Sequence, residues 1–455
     1  MAENASYGAI PQEEGGAVNV KELKSPLQIT EKEKSTSFQT FLNLFKSFIG
    51  LGILAAGEAF GKVGIWGGVL AMALIGIINS YTIVLQVHMK NDIGDYVISY
   101  STLGYAVHGK RGKAFIDTFM MIAQFGFCIS YILFVGKQFS LVFNYLETGT
   151  ASTTRLETAA WILLALAILI PFAWMKNLKL VSYFSFVANI ALILCLVSII
   201  VYDIQSLTCT GDYSSKDHCD HVHIINLKTN KNEWVPREAV PGFDLGNFPL
   251  FFGIALFNFE GNTVVLNMQG EMAKPKEMYF VVILTVVVVL INIYVIAILS
   301  LYAYSTDIQG IVLFNLPNGA WPIFIKIFYA VSIMASYIIQ LYPILNIIEL
   351  SSWWKSQTCF GSEDARQKVM RAGLVAFTAL IASMIPDINL FMNFSGCLTG
   401  SALAFIAPAL LHNSWFKDRN SSIIKGLNWF IVVFGFVVGG YSVVIAFDQL
   451  VSSIF

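Results

Sequence analysis

The chain has 455 residues, of which 56% are hydrophobic, 14% aromatic and only 13% charged, with a formal net charge of −1. Soluble domains carry about 25% charged residues, so this surface is built to face lipid: the chain reads as an integral, multi-pass membrane protein. Collagen-like, disordered and disulfide-rich mini-protein classes are excluded, and with no basic excess nucleic-acid binding has no electrostatic support.

Residues 1–37 are polar, acidic and rich in Lys and Glu, and read as a disordered tail with no signal-peptide pattern. Within it, Tyr7–Ile10 fits a tyrosine-based sorting pattern, a four-residue match that also arises by chance. A spanning helix needs about 20 mostly apolar residues. Eleven runs meet or approach that length: 38–60, 64–89, 114–146, 158–175, 179–202, 247–269, 278–303, 320–350, 368–386, 388–411 and 424–451. The expected fold is therefore all-α, with 11 transmembrane helices in one domain, 38–451.

Short-loop charge sets the expected orientation. Fifteen Lys/Arg, among them Lys90, Arg111, Lys176, Lys274, Lys355 and Arg419, fall on one side, against only Lys62 and Arg155 on the other. The N-terminus is expected to be cytoplasmic and Phe455 external or lumenal. The long loop 203–245 then lies outside, where an oxidising compartment favours a Cys209–Cys219 disulfide. His218, His221 and His223 beside those cysteines raise the question of a metal, but no Cys-x-x-Cys or His-Glu-x-x-His spacing supports one. Cys128, Cys195 and Cys397 lie in apolar runs, where free cysteine acts as a small hydrophobe. Gly104–Lys110 opens like a phosphate-binding loop, yet Arg111 stands where magnesium chemistry needs Ser or Thr.

Two spans are interrupted in mid-membrane. Span 1 carries Ser47-Phe48-Ile49-Gly50-Leu51-Gly52, and span 6 carries Phe257-Asn258-Phe259-Glu260-Gly261. Glycine costs about 1 kcal/mol inside a helix, and unwound backbone in hydrocarbon is tolerated only beside a cavity or inside protein. Close helix packing through small residues is the bland explanation for either break alone. The two breaks, however, occupy equivalent positions in two sets of five spans, and because five is odd the sets are inverted. Paired breaks in inverted halves point to a transporter's central site. Freed N–H groups and carbonyls there suit the carboxylate and ammonium of an amino acid.

Buried ionisable groups are candidates for coupling or gating. They are Glu260 at the second break, Glu58 in the outer half of span 1 and Lys46 about one turn before Gly50. Tyr131 and Tyr337 are candidate aromatic walls, while Lys137 and Lys326 are expected to snorkel.

These residues also carry a resemblance. Phe38–Lys46, Gly50–Leu54, Gln124–Tyr131, Phe257–Gly261, Met272–Pro275, Tyr337–Tyr342 and Ser401–Leu411 are similar to the amino acid/auxin permease family, nearest its proton-coupled amino acid transporter branch. The resemblance runs over roughly 38–445 and implies a five-plus-five inverted repeat with helices 1 and 6 broken, plus one extra helix. It further implies symport of amino acids with a cation, usually a proton. The chain departs from the family pattern at Ala55–Phe60, where Leu-Pro-x-Ala-Phe is usual, and at Asn43, where many animal members carry His.

The expected function is secondary active amino acid transport by alternating access. An amino acid sensor on the same scaffold and sodium-coupled transport are the alternatives. No nucleophile–base constellation supports an enzyme. The expected ligands are an amino acid and a coupling ion, proton or sodium, in a lipid setting, without cofactor, nucleic acid or obligate protein partner. Either the plasma membrane or a vacuolar/lysosomal membrane fits.

Overall fold

A capping box opens the first helix: Thr36 Oγ1 accepts from the Gln39 N–H at 3.2 Å, and Gln39 Oε1 accepts from the Thr36 N–H at 2.9 Å. The computed structural model describes residues 34–149, 154–174, 178–208, 221–226, 231–236, 240, 242–305, 308–350, 354 and 362–454, except for the side chains of 178–186, 221–226, 231–236, 260 and 350. The expected disordered tail, apart from 34–37, and both Cys209 and Cys219 lie outside the described residues, as do the side chains of the histidines beside them. Ser35 itself is paired: it bridges in parallel to Met272, with Ser35 N–H on Glu271 O at 2.8 Å and Ala273 N–H on Ser35 O at 2.9 Å.

Span 1 consists of α1 (Ser37–Phe48) and α2 (Leu51–Val63), bent by 54° across Ile49 and Gly50. Gly64, at φ +77°, turns the chain into α3 (Ile65–Ile93), where a Cβ would lie 2.7 Å from backbone atoms of Gly242 and Phe243. Next come α4 (Tyr100–Thr148), α5 (Arg155–Ala173) and α6 (Leu178–Thr208). The antiparallel hairpin β1 (His221–Asn226) and β2 (Lys231–Pro236) follows, two strands inside what was expected to be a plain loop. Span 6 is α7 (Phe248–Phe257), a 3-10 turn (Glu260–Thr263) and the seven-residue α8 (Val265–Glu271). Beyond it lie α9 (Met278–Tyr304), α10 (Ala320–Leu350) and α11 (Glu363–Met384). Span 10 is α12 (Ile388–Gly400), a π-helical turn (Ser401–Ile406) and α13 (Ala407–Trp415), and α14 (Ser422–Ile454) ends the bundle.

Among the described residues nine helical stretches are long and apolar enough to cross a membrane, ten with the bent α1–α2 pair, against the eleven expected. The difference is α11, whose first turns carry Glu363, Asp364, Arg366, Lys368 and Arg371. Two boundaries also differ. Helix α4 begins at Tyr100 rather than 114, and its first turns are set off by a kink at His108 and Gly109, which has φ +58°. The Gly104–Lys110 segment is therefore helix up to that kink. Helix α6 continues to Thr208, so Asp203 is a buried helical residue, not a loop residue.

Helix partners repeat when spans 1–5 are exchanged with 6–10. The central pair α4·α10 maps onto itself, α6·α10 onto α12·α4, α6·α9 onto α13·α3, and α2·α9 onto the contacts of α7 and α8 with α3. The run of α7 along α12, the packing of α4 on α5 and that of α2 on α3 lack counterparts of similar extent. Burial places the broken spans at the centre. The best apolar window of Phe248–Glu271 is 94% buried and that of Arg155–Ala173 only 22%.

Candidate substrate site at two facing helix breaks

At the first break Ile49 is extended and Gly50 caps α2 without any side-chain hydrogen bond, so the first N–H groups of α2 have no cap from that residue. At the second, α7 ends at Asn258, whose N–H still reaches Ile254 O at 3.1 Å. The helix ends thus bring a positive α2 terminus and the negative terminus of α7 to one region.

Three contacts knit the breaks together. Asn258 Nδ2 donates to Gly52 O at 3.2 Å and to Ile254 O at 2.9 Å, tying the first turn of α2 to α7. A Cβ on Gly52 would lie 2.9 Å from Asn258 Oδ1 and 3.2 Å from Phe257 Cδ1, so this glycine is required by α7 itself. A Cβ on Gly261 would run into the Phe48 ring, which also meets Phe259 edge-on at 6.5 Å between centroids. Leu51 and Phe259 are fully buried.

Helix α4 closes one side. A Cβ on Gly50 would lie 3.4 Å from the Tyr131 hydroxyl, and the Phe127 ring lies 4.5 Å from Phe257 and 6.2 Å from Tyr131. The sequence-derived set Gly50, Leu51, Gly52, Tyr131, Phe257, Asn258, Phe259 and Gly261 is therefore one neighbourhood. Ser47 is not drawn into these contacts: it is exposed, and its hydroxyl bonds back to Leu44 O at 2.7 Å. Tyr337 is buried with its hydroxyl 2.6 Å from Thr378 Oγ1, holding α10 to α11.

Residues 33–447 match the family described as transmembrane amino acid transporter protein. The chain belongs to this amino acid/auxin permease family. It is 26% identical over 428 residues to vacuolar amino acid transporter 3 of Saccharomyces cerevisiae, covering 90% of this chain and 56% of that protein. It is 24% identical over 436 residues to amino acid transporter ANT1 of Arabidopsis thaliana (92% and 94%), and 24% identical over 419 residues to amino acid transporter AVT3B of the same plant (91% and 94%). The chain thus spans little more than half of the yeast relative and nearly all of the plant ones. Its family is one of transporters, not enzymes.

The ionisable candidates separate by environment. Glu58 forms an i,i+4 ion pair with Lys62 at 3.0 Å. Lys46 lies in the last turn of α1, and Glu260 opens the 3-10 turn, its side chain outside the described residues. Lys326 does not snorkel: it is 3% exposed and donates to Leu316 O at 2.8 Å and Asn318 Oδ1 at 3.1 Å. Among the described residues no cluster of three His, Cys, Asp or Glu is arranged to hold a metal.

Sequence reasoning missed three polar features of this transporter. Lys90, counted as a loop charge, is 6% exposed and donates to Leu266 O at 2.5 Å, near the start of α8. His88 Nδ1 and His412 Nε2 face each other at 3.2 Å between α3 and α13. Asp203 is fully buried. Each lies at the edge of an apolar run, where a run-length reading assigns polar residues to loops.

Proposed function

We propose that this protein moves amino acids across a membrane by alternating access, in symport with protons. The observation that carries the reading is the pair of facing breaks, with unwound backbone at Ile49–Gly50 and Asn258–Phe259 enclosed by protein. Enclosed irregular backbone of this kind is sustained where it serves a ligand. The α2 N-terminus is suited to the substrate carboxylate, and carbonyls at the α1 and α7 ends to its ammonium. The Phe127–Tyr131–Phe257 wall covers the remaining face. Rocking one group of helices against the other then exposes the site to each side in turn.

In this reading the Lys/Arg-rich end is cytoplasmic, with eleven spans counting α11. Relatives named as vacuolar transporters favour an acidic organelle as the location. Proteoliposomes separate the readings. Labelled amino acid should accumulate inside against its gradient when the pH is lowered on the side corresponding to the lumen. Binding without flux would favour the sensor, and accumulation driven by sodium alone would replace the proton.

A further inference from the structure

A carboxyl group with no cation beside it among the described residues sits inside the bundle, away from the two breaks. Asp203 of α6 is 0% exposed. Its Oδ2 accepts from the Ser300 hydroxyl of α9 at 2.6 Å, and its Oδ1 is buried without a hydrogen-bond partner. The Tyr304 hydroxyl, one turn along α9, lies beside the carboxyl.

Helix α9 carries no charged residue and places Ser300 and Tyr304 beside the carboxyl, and Glu349 of α10 is ion-paired with Arg371. From α10 come Lys326, whose ammonium is bonded to Leu316 O and Asn318 Oδ1, and the Tyr329 hydroxyl. Segment 308–316 contributes no charged residue, and on α2 Glu58 is ion-paired with Lys62. Asp307 lies outside the described residues. No described ion pair reaches Asp203. An unpaired carboxylate in an apolar interior costs several kcal/mol even after relaxation, so such a group is neutralised by a proton or found by a cation.

The position of the carboxyl links it to the broken span. A Cβ on Gly57 of α2 would lie 3.4 Å from Ser300 Cβ and would run into Ile308. The Ser300 side chain thus touches both the carboxyl and the Gly57 face of α2. With α2, α9 and the 308–316 segment in this arrangement, Asp203 has no exposed surface.

We propose that Asp203, held by Ser300 with Tyr304 beside it, is the proton-binding site that couples the pH gradient to movement of α2. The inference rests on the proton-symport reading above. The neutral carboxyl is compatible with the packed arrangement described here. Separation of α2 from α9 admits water, the carboxyl O–H bond breaks, and the proton passes to that water, leaving a hydrated carboxylate. Rebinding a proton from the other side restores the neutral acid, with one proton moved and no change in oxidation state.

The test compares wild type with D203N and D203E in proteoliposomes, measuring counterflow exchange and gradient-driven uptake of the same labelled amino acid. One proton per substrate allows accumulation of up to about 100-fold under a two-unit pH gradient. Wild type should approach that ratio. D203N, permanently neutral, should show measurable counterflow yet equilibrate at a ratio near one, and its exchange rate should not vary between pH 5 and 8. D203E should regain part of the accumulation, which also controls for a misfolded D203N. Concentrative, proton-driven uptake by D203N would overturn the assignment. If wild type itself fails to respond to a proton gradient, the symport reading falls instead, and sodium-driven uptake abolished in D203N would make the carboxyl a metal-cation site.

Discussion

Glycine at position 261 is explained by one aromatic ring. Phe48 stands where a methyl group would go, so Gly261→Ala must push the ring aside. Overpacking of this kind costs about 1–3 kcal/mol. Uptake by Gly261→Ala should fall sharply, and Gly261→Ala/Phe48→Leu should recover a measurable part of it. Strictly additive losses in the double variant would show that the two residues do not share the space. The sequence makes Gly52 and Gly261 conspicuous as helix-breaking glycines but does not show what occupies the space beside Gly52. The structure puts Asn258 and Phe257 there, because the 54° bend between α1 and α2 decides which face meets α7, and residue spacing does not encode that bend. The Glu58–Lys62 pair, by contrast, is legible as an i,i+4 spacing. The setting of Asp203 is not, since only folding shows that no described cation lies beside it.

Half-helix α8 depends on its neighbours more than any other described helix of the membrane domain. Seven residues are too few to hold a helix in isolation. It is steadied by the Lys90 ammonium on Leu266 O at one end and by the Ser35 bridge beyond its other end. Lys90→Met keeps the length of the side chain but removes the donor, leaving a buried carbonyl short by about 1–3 kcal/mol. Amide exchange across 265–271 should quicken in that variant while exchange in α9 stays as in wild type, and an unchanged 265–271 would remove Lys90 from this role. Most elements were readable as apolar runs because a lipid-facing helix needs little else. Helix α11 passes the length requirement but not the apolar one, since Arg371 is 6% exposed and donates to Glu349 at 2.9 Å and to Ala173 O at 3.1 Å. That partnership makes its charge tolerable and cannot be seen in one run alone. The early start of α4 was missed for a related reason: Tyr100–Lys110 is too polar to read as a span, although Ser99 and Thr102 form a capping box that announces a helix.

At the scale of the whole molecule, the exchange of spans 1–5 with 6–10 preserves the central helix partnerships, and α14 stands outside the two sets of five. Its solvent-side residues Phe436, Val437, Tyr441 and Val444 are more than 60% exposed, as lipid-facing residues are. Gly435 and Gly439 are turned inward instead: a Cβ on Gly435 would lie 3.0 Å from Ile406, and one on Gly439 would collide with Ser401. A body whose two halves are upside-down copies presents the inserting machinery with almost the same apolar profile from either direction. Direction during synthesis is then expected to come from what breaks the likeness, namely the excess of Lys and Arg on one side of the short loops and the odd last helix. Replacing the basic residues of 355–371 and 417–425 by Gln, and adding Lys beside 387, should yield a mixed population in which some copies sit inverted. Epitopes at the N-terminus and in 210–235 would then each become accessible from both sides, whereas in the unaltered protein each should be reached from one side only.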